Sequence, residues 1–312
     1  MRRWLKIAIP SLLLAGGAVL CAIRWQAWFG MPAEKVWNGE TLDYTFPEWR
    51  LDTTPPSLDI LVLGDVHNQL SRTDYDTLAA RVPNADAVLQ IGDWMERGQE
   101  YYYQLLLREW TNSALYGLPV IATPGNHEYT KGLGKTLSPV WEHAFPHPKN
   151  GPKGVPGVSY YIDMPTLRLI TIDTNPLFRI VDLTRTMTWL RETMNNAGGR
   201  YIVVVMHHPV LSVAKGRANL HLYSAFRHIL GDADLVIAGH DHSYMRHAPF
   251  VVLNTAGKTK PQCFHFEAQA ADTVPVYGVL QSHIINHTSQ MEFRVYRLDN
   301  GEILDSLHVT HD

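Results

Sequence analysis

Along most of the chain, short apolar runs rich in β-branched residues alternate with longer stretches in which apolar positions recur at helical spacing. The short runs are Leu58 to Leu63, Ala87 to Ile91, Val120 to Thr123, Tyr201 to Met206 and Leu235 to Ala238. Helical spacing covers residues 74 to 82, 99 to 112, 184 to 196 and 222 to 230, lengths that suit crossovers between strands. Two further strands are expected at Ser159 to Asp163 and Leu167 to Asp173, on either side of Pro165. A terminal hairpin is expected from Glu292 to Leu298 and Glu302 to Val309, around Asp299-Asn300-Gly301. The alternation predicts an α/β fold with hairpins concentrated in its second half. With no internal repeat and no low-complexity segment after residue 30, one domain over residues 58–312 is the simplest account.

The amino terminus does not follow this pattern. Arg2, Arg3 and Lys6 precede a nearly unbroken apolar stretch from Ile7 to Ile23, and Arg24 follows it. Residues 1–30 are therefore expected to be a signal or anchor segment, and 31–57, with Pro32, Pro47, Pro55 and Pro56, a tether. The stretch is at the short limit for a spanning helix, and Pro10 and Gly16-Gly17 weaken its helix propensity, so cleavage and anchoring both fit, with the balance toward an uncleaved anchor. Three cations before the stretch against one after it place the catalytic part outside the cytoplasm, periplasmic if the source is bacterial. Arg2-Arg3-Trp4-Leu5-Lys6 also has part of a twin-arginine export signal.

Composition narrows the chemistry. The net charge of -3 offers no basic field for nucleic acid, and none is expected as a partner. Cys21 and Cys263 support neither a disulfide framework nor a thiolate metal site. The 16 histidines are more telling, because several stand beside Asp, Gly or another His.

They stand where the apolar runs stop. The five runs lead into Gly64-Asp65-Val66-His67, Gly92-Asp93, Pro124-Gly125-Asn126-His127-Glu128, His207-His208-Pro209 and Gly239-His240-Asp241-His242. In open α/β sheets the carboxyl ends of the strands form the ligand-binding edge, and glycine turns let side chains approach a bound group. A hydrolytic two-metal site needs several O and N donors, a carboxylate able to bridge, and open positions for water and substrate. Asp65, His67, Asp93, Asn126, His207, His240 and His242 supply such a set, with Asp93 able to bridge. Mixed carboxylate, amide and imidazole donors suit two Mn, Fe or Zn ions better than calcium alone.

In order, GDVH, GDWMERG, GNHE, VVMHHP and GHDH resemble the motif set of the calcineurin-like metallophosphoesterases, over residues 58 to 309. Tyr160-Tyr161, Ile172-Asp173-Thr174, Trp189-Leu190, Tyr244 and Arg246 are similar to the acid-phosphatase-like branch. The resemblance implies a four-layer α/β/β/α sandwich of two mixed sheets flanked by helices. It also implies hydrolysis of phosphate mono- or diesters by a metal-bridging hydroxide. One ion would be held by Asp65, His67, Asp93 and His242, the other by Asp93, Asn126, His207 and His240. His127 would contact the phosphate or protonate the leaving group. By similarity to the GDxxDRG motif of the phosphoprotein phosphatases, Glu96 would orient His127 and Arg97 would clamp a phosphate oxygen. Purple acid phosphatases carry Tyr at the position of Glu96 and Gly at that of His67, so a non-purple centre is expected.

Spacing from the strand favours His207 as the ligand and leaves His208 beside it. The basic stretch from Tyr129 to Gly157, with Lys131, Lys135, Lys149 and Lys153, is a candidate wall of the substrate cleft, as is Leu211 to Leu222 with Lys215, Arg217 and His221. The expected partners are a phosphate-ester substrate and, through the first segment, a membrane. A phosphodiesterase or pyrophosphatase of lipid or cell-envelope substrates is the alternative activity. The alternative of another class is a non-catalytic metal-binding scaffold, against which the completeness of the ligand set argues.

Overall fold

The computed structural model describes residues 44–48, 57–130, 136–262, 268–285 and 288–310. Among the described residues, thirteen strands and five helices follow in chain order. They begin β1 (Ser57–Leu63), α1 (Arg72–Arg81), β2 (Ala87–Gln90), α2 (Glu100–Trp110), β3 (Val120–Ala122) and α3 (Pro139–Ala144). There follow β4 (Tyr160–Asp163), β5 (Leu167–Ile172), α4 (Ile180–Asn195), β6 (Tyr201–Met206), α5 (Leu220–Leu230) and β7 (Leu235–Ala238). The chain ends in β8 (Tyr244–His247), β9 (Phe250–Val252), β10 (Ala270–Asp272), β11 (Val276–Ile285), β12 (Thr288–Arg297) and β13 (Ile303–Thr310).

One sheet has the order β13-β12-β11-β1-β2-β3 and the other β10-β8-β9-β7-β6-β5-β4. Both are mixed: β1, β2 and β3 run parallel, as do β5, β6, β7 and β9, while the remaining pairs are antiparallel. Strand periodicity explains the layering. Leu167 and Leu169, Val203 and Val205, and Leu235 and Ile237 point into the core shared with the first sheet. The alternate residues Ile170 and Ile172, Val204 and Met206, and Val236 and Ala238 pack instead with Leu183, Leu190, Leu222 and Phe226 of α4 and α5. Strands covered on both faces read as unbroken apolar runs, which is why these were legible in the sequence. The result is two face-to-face sheets with helices outside, the expected α/β sandwich.

Other features were not legible. Helix α4 begins at Ile180 rather than near 184, because its first turn carries the exposed Ile180 and Val181 and the buried face starts only at Asp182 and Leu183. The short α3, with Pro at its start, lies inside the basic stretch from Tyr129 to Gly157, where no helix was expected. β11 was hidden by Gly278, which faces Phe293 of β12 so closely that a Cβ would lie 2.5 Å from the ring.

The boundary drawn at residue 57 also sits too late. Phe46, read as part of the tether, is 1% exposed, stacks on Phe145 at 4.6 Å and packs against Trp94 and Trp110. Its N–H donates to the Ala144 carbonyl, and the Pro47 carbonyl accepts from Val120. Phe46→Ala is expected to destabilise the domain by about 3–5 kcal/mol, the usual cost of emptying an aromatic core site, measured by denaturant unfolding. No helix among the described residues is long and apolar enough to cross a membrane. The expected anchor at 1–30 lies outside them, as do Cys263, Lys131 and Lys135.

Candidate metal centre

The loops after β1, β2, β3, β6 and β7 meet at one edge where the two sheets come together. Main-chain bonds lock them in register: Asp65 N–H donates to the Gly92 carbonyl at 3.1 Å, His67 N–H to Asp93 at 3.0 Å, and Gly239 N–H to His207 at 3.0 Å. His240 N–H crosses between the sheets to Asp65 Oδ2 at 2.8 Å. Asp65, His67, Asn68, Asp93, His240 and His242 all have positive φ. Each such residue costs on the order of 1–3 kcal/mol unless its surroundings enforce it, and their concentration at one edge marks a site where side-chain placement outweighs backbone comfort.

These turns bring donor atoms together in three sets, of which two share Asp93 and the third, His67, Glu96 and His127, lies at the more open side. Asp65, His67, Asp93 and His242 each offer an atom within 4.8 Å of the others, and so do Asp93, His207 and His240. His67 Nε2 and His242 Nε2 face each other at 3.3 Å, with Asp65 Oδ1 3.5 Å from the latter. In the second set, Asp93 Oδ2 and Asn126 Oδ1 both lie 3.2 Å from His207 Nε2. Asp93 belongs to both, as a bridging carboxylate must.

Two details fit the cluster to cations. First, tautomers are fixed from behind. His207 Nδ1 donates to the Ile91 carbonyl at 3.1 Å and His242 Nδ1 to the Lys258 carbonyl at 2.7 Å, so each ring, once a cation has displaced any proton on Nε2, turns the lone pair of Nε2 into the cluster. Second, Asp65 Oδ1 and His240 Nδ1 are buried with no hydrogen-bond partner. Buried polar atoms are almost always satisfied, and facing lone pairs with orphaned acceptors are what a cation would satisfy.

Electrostatics point the same way. Burial holds the His67 imidazole down to about 3 and that of His242 to about 4, leaving both neutral and able to ligate. Burial opposes charge on His207 as well, but Asp93, Asp65 and Glu128 prevail and raise it to about 9. Of the two buried carboxylates, Asp93 is held low, against its burial, by His207, His127 and His67, whereas burial raises Asp65, with Asp93 adding to the effect. Positive charge between them would relieve both.

Close backbone approach is required throughout. A Cβ on Gly125 would lie 2.1 Å from Asp93 Oδ1, and one on Gly92 2.4 Å from His207 Nδ1. Gly125→Ala is expected to displace the Asp93 carboxylate, lowering stability by roughly 1–3 kcal/mol and weakening metal uptake, read by thermal unfolding and metal titration.

Residues 58–244 match the Calcineurin-like phosphoesterase family. The chain belongs to that family. A curated relative, the glycerophosphodiester phosphodiesterase GpdQ of Enterobacter lignolyticus, is 26% identical over 216 residues, covering 65% of this chain and 71% of that protein. Among solved structures, the purple acid phosphatase PPD1 of yellow lupin aligns over 82% of this chain with a TM-score of 0.59 at 13% identity. The chain spans about half, 54%, of that longer phosphatase. GAP50, the anchor in the inner membrane complex of Plasmodium, aligns over 83% of this chain and 90% of its own, with a TM-score of 0.54 at 13% identity. These structural likenesses concern the fold.

Around the family's motif residues, the remaining side chains divide. His127 lies beside the cluster, its Nε2 3.9 Å from Asp93 Oδ2, and at 26% side-chain exposure it is more open than His67, His207 or His242. It is not oriented by the Glu96 carboxylate as the motif comparison implied. His127 Nδ1 donates to the Glu96 main-chain carbonyl at 2.6 Å, while the Glu96 carboxylate reaches His67 Nδ1 at 3.3 Å. Arg97 is half-buried, and its Nε has no hydrogen-bond partner among the described residues. His208 packs against the His240 ring at 4.4 Å and is fixed by the Thr174 hydroxyl at 2.7 Å. Arg217, from the second expected wall, donates through Nη1 to the His240 carbonyl. Lys149 and Lys153 line a separate cavity of about 250 Å³ with Glu142 and His147, and none of the clustered metal donors lines it.

Two residues that hold the site together had no role in the sequence reading. Glu128, fully buried, accepts from the N–H groups of Asp93 at 2.9 Å, Met95 at 3.1 Å and Gly125 at 2.7 Å. Burial, and then the charge of Asp93, raises it to about 7 against these donors. Asp241 accepts from Ser212 Oγ at 2.9 Å and from the N–H groups of Val213 and Ala214, pinning the loop after His207 between His240 and His242. Both were visible only as letters of GNHE and GHDH.

Proposed function

We propose that this phosphoesterase uses two metal ions to hydrolyse phosphodiesters outside the cytoplasm. The observation that carries the reading is the double donor set sharing Asp93, with Asp65 Oδ1 and His240 Nδ1 buried and unpartnered. Asp65, His67, Asp93 and His242 would hold one ion, and Asp93, Asn126, His207 and His240 the other. Two bound ions supply Lewis acidity toward phosphoryl oxygens and activate water as a nucleophile.

The chain's own groups do the rest. Asp93 keeps both sets at fixed separation, since its N–H is tied to Glu128 and its Oδ1 to the His127 N–H at 2.8 Å. His127, with Nδ1–H committed to a carbonyl, delivers a proton from Nε2 only as imidazolium, which suits it to a departing alkoxide. Arg97 stands at the motif's arginine position, which supports a guanidinium contact to a phosphate oxygen, although its Nε is buried. The preference for diesters is supported by the relative named as a glycerophosphodiester phosphodiesterase. The extracytoplasmic placement rests on the charge asymmetry around the apolar stretch Ile7 to Ile23.

Purified protein of known metal content, assayed on matched chromogenic mono- and diesters, is expected to cleave the diester faster. Faster cleavage of the monoester overturns the diester assignment.

A further inference from the structure

We propose that the first turns of α4 and α5, with the segments leading into them, form a docking face for an anionic lipid bilayer beside the metal-competent edge.

The first observation is apolar exposure. Phe178 is 71% exposed, Ile180 76%, Val181 40% and Leu220 73%. These are four of the eight large hydrophobic side chains exposed among the described residues, and they come from two short segments. The segments touch, since the Phe178 and His221 rings are 4.9 Å apart. Scattered exposed apolar residues need no explanation, but a contiguous ridge of them marks an interaction surface.

The second observation is charge. Residues 174 to 191 contain Arg179, Arg185 and Arg191 and one acid, Asp182, which is 1% exposed and lies 3.5 Å from Arg179. Residues 208 to 228 contain Lys215, Arg217 and Arg227 and no acid. In a chain of net charge -3, Arg179, Arg185, Lys215 and Arg217 stand within five residues of an exposed apolar side chain of the ridge, while Arg191 and Arg227 lie further along the two helices. Exposed bulky apolar groups interleaved with Arg and Lys are the composition of an interfacial membrane contact, where apolar burial and attraction to anionic headgroups add. A protein partner would not require this one-sided charge.

The third observation is position. Beyond the end of β5, Thr174 is bonded to His208, and Asn175 Nδ2 donates to the Gly125 carbonyl at 3.2 Å, one residue from Asn126. The ridge follows directly, and Leu220 follows the loop pinned by Asp241. A bilayer contacting this face would lie next to the edge at which the donor sets converge. The apolar stretch ends at Ile23 and the described chain begins at Tyr44, a separation that reaches at most about 70 Å at ~3.5 Å per residue. With that stretch in a bilayer, the domain stays within reach of its surface.

Docking is a property separate from hydrolysis, and the test does not read turnover. In the full chain with Cys21 and Cys263 replaced by Ser, single variants Phe178→Cys, Leu220→Cys and Ile303→Cys are labelled with an environment-sensitive fluorophore. Ile303, 59% exposed on β13, is the control. Vesicles of phosphatidylcholine and phosphatidylglycerol in equal parts carry a lipid-borne quencher. Labels at 178 and 220 are expected to shift to the blue and lose most of their emission, and the label at 303 to change little. Equal response at all three positions, or none at 178 and 220 while the chain still sediments with the vesicles, overturns the proposal. Undiminished quenching on phosphatidylcholine alone overturns the role given to the cations.

Discussion

Asp93→Asn is expected to remove turnover and metal occupancy together while leaving the fold in place. Asp93 Oδ1 accepts from the His127 N–H at 2.8 Å, so an amide here keeps its oxygen on that side and turns its NH₂ toward the position of Oδ2. That position lies 3.2 Å from His207 Nε2 and 3.8 Å from His67 Nε2. An anionic donor shared by both sets becomes a neutral group pointing hydrogens at imidazole lone pairs. Loss of a group that merely supports a ligand typically costs roughly 10- to 100-fold in metal affinity or activity, and removal of the shared ligand exceeds that. Metal analysis, rate and circular dichroism on the same preparation make the check. A rate within a few-fold of wild type removes the two-metal account.

The second large effect separates a leaving-group acid from a ligand. His127→Ala is expected to retain metal and lose about 10²–10⁴-fold in rate, the range for removal of a general acid. Its main-chain N–H, which holds Asp93, is unchanged by the substitution, so the donor sets stay in place. The loss should be smaller for diesters with good leaving groups, which need little protonation. If metal is lost with the ring, His127 is a ligand and the division of roles is wrong.

How far the sequence reached can be seen in particular residues. The strands β1, β2, β6 and β7 were legible because both faces are buried, and the metal donors because each closes such a strand. What was hidden depends on distant partners. Glu128 works by receiving main-chain N–H groups from residues 33 and 35 positions away, which no local pattern signals. Phe46 has its place among Phe145, Trp94 and Trp110, all remote in sequence. Glu96 was assigned by its position in a motif, yet its side chain points to His67 and its carbonyl to His127, an exchange set by backbone geometry. The exposed ridge at α4 and α5 was not read as a surface because Phe178, Ile180 and Val181 look like any apolar run until their burial is known.

The pair Tyr244 and Arg246, noted in the sequence for its likeness to acid phosphatases, has a structural role here. Both converge on Asp305 of β13, Tyr244 Oη at 2.6 Å and Arg246 Nε at 2.6 Å, tying the second sheet to the edge strand of the first. They help keep the two sheets, and so the two groups of donors, in fixed relation.

The most direct test of the central claim is a titration of the metal-stripped protein with Mn²⁺, following bound metal and diester hydrolysis together. Activity is predicted to be absent at the start and to reach its plateau as occupancy reaches two ions per chain. Full activity in the stripped protein, or a plateau with no metal bound, would contradict it.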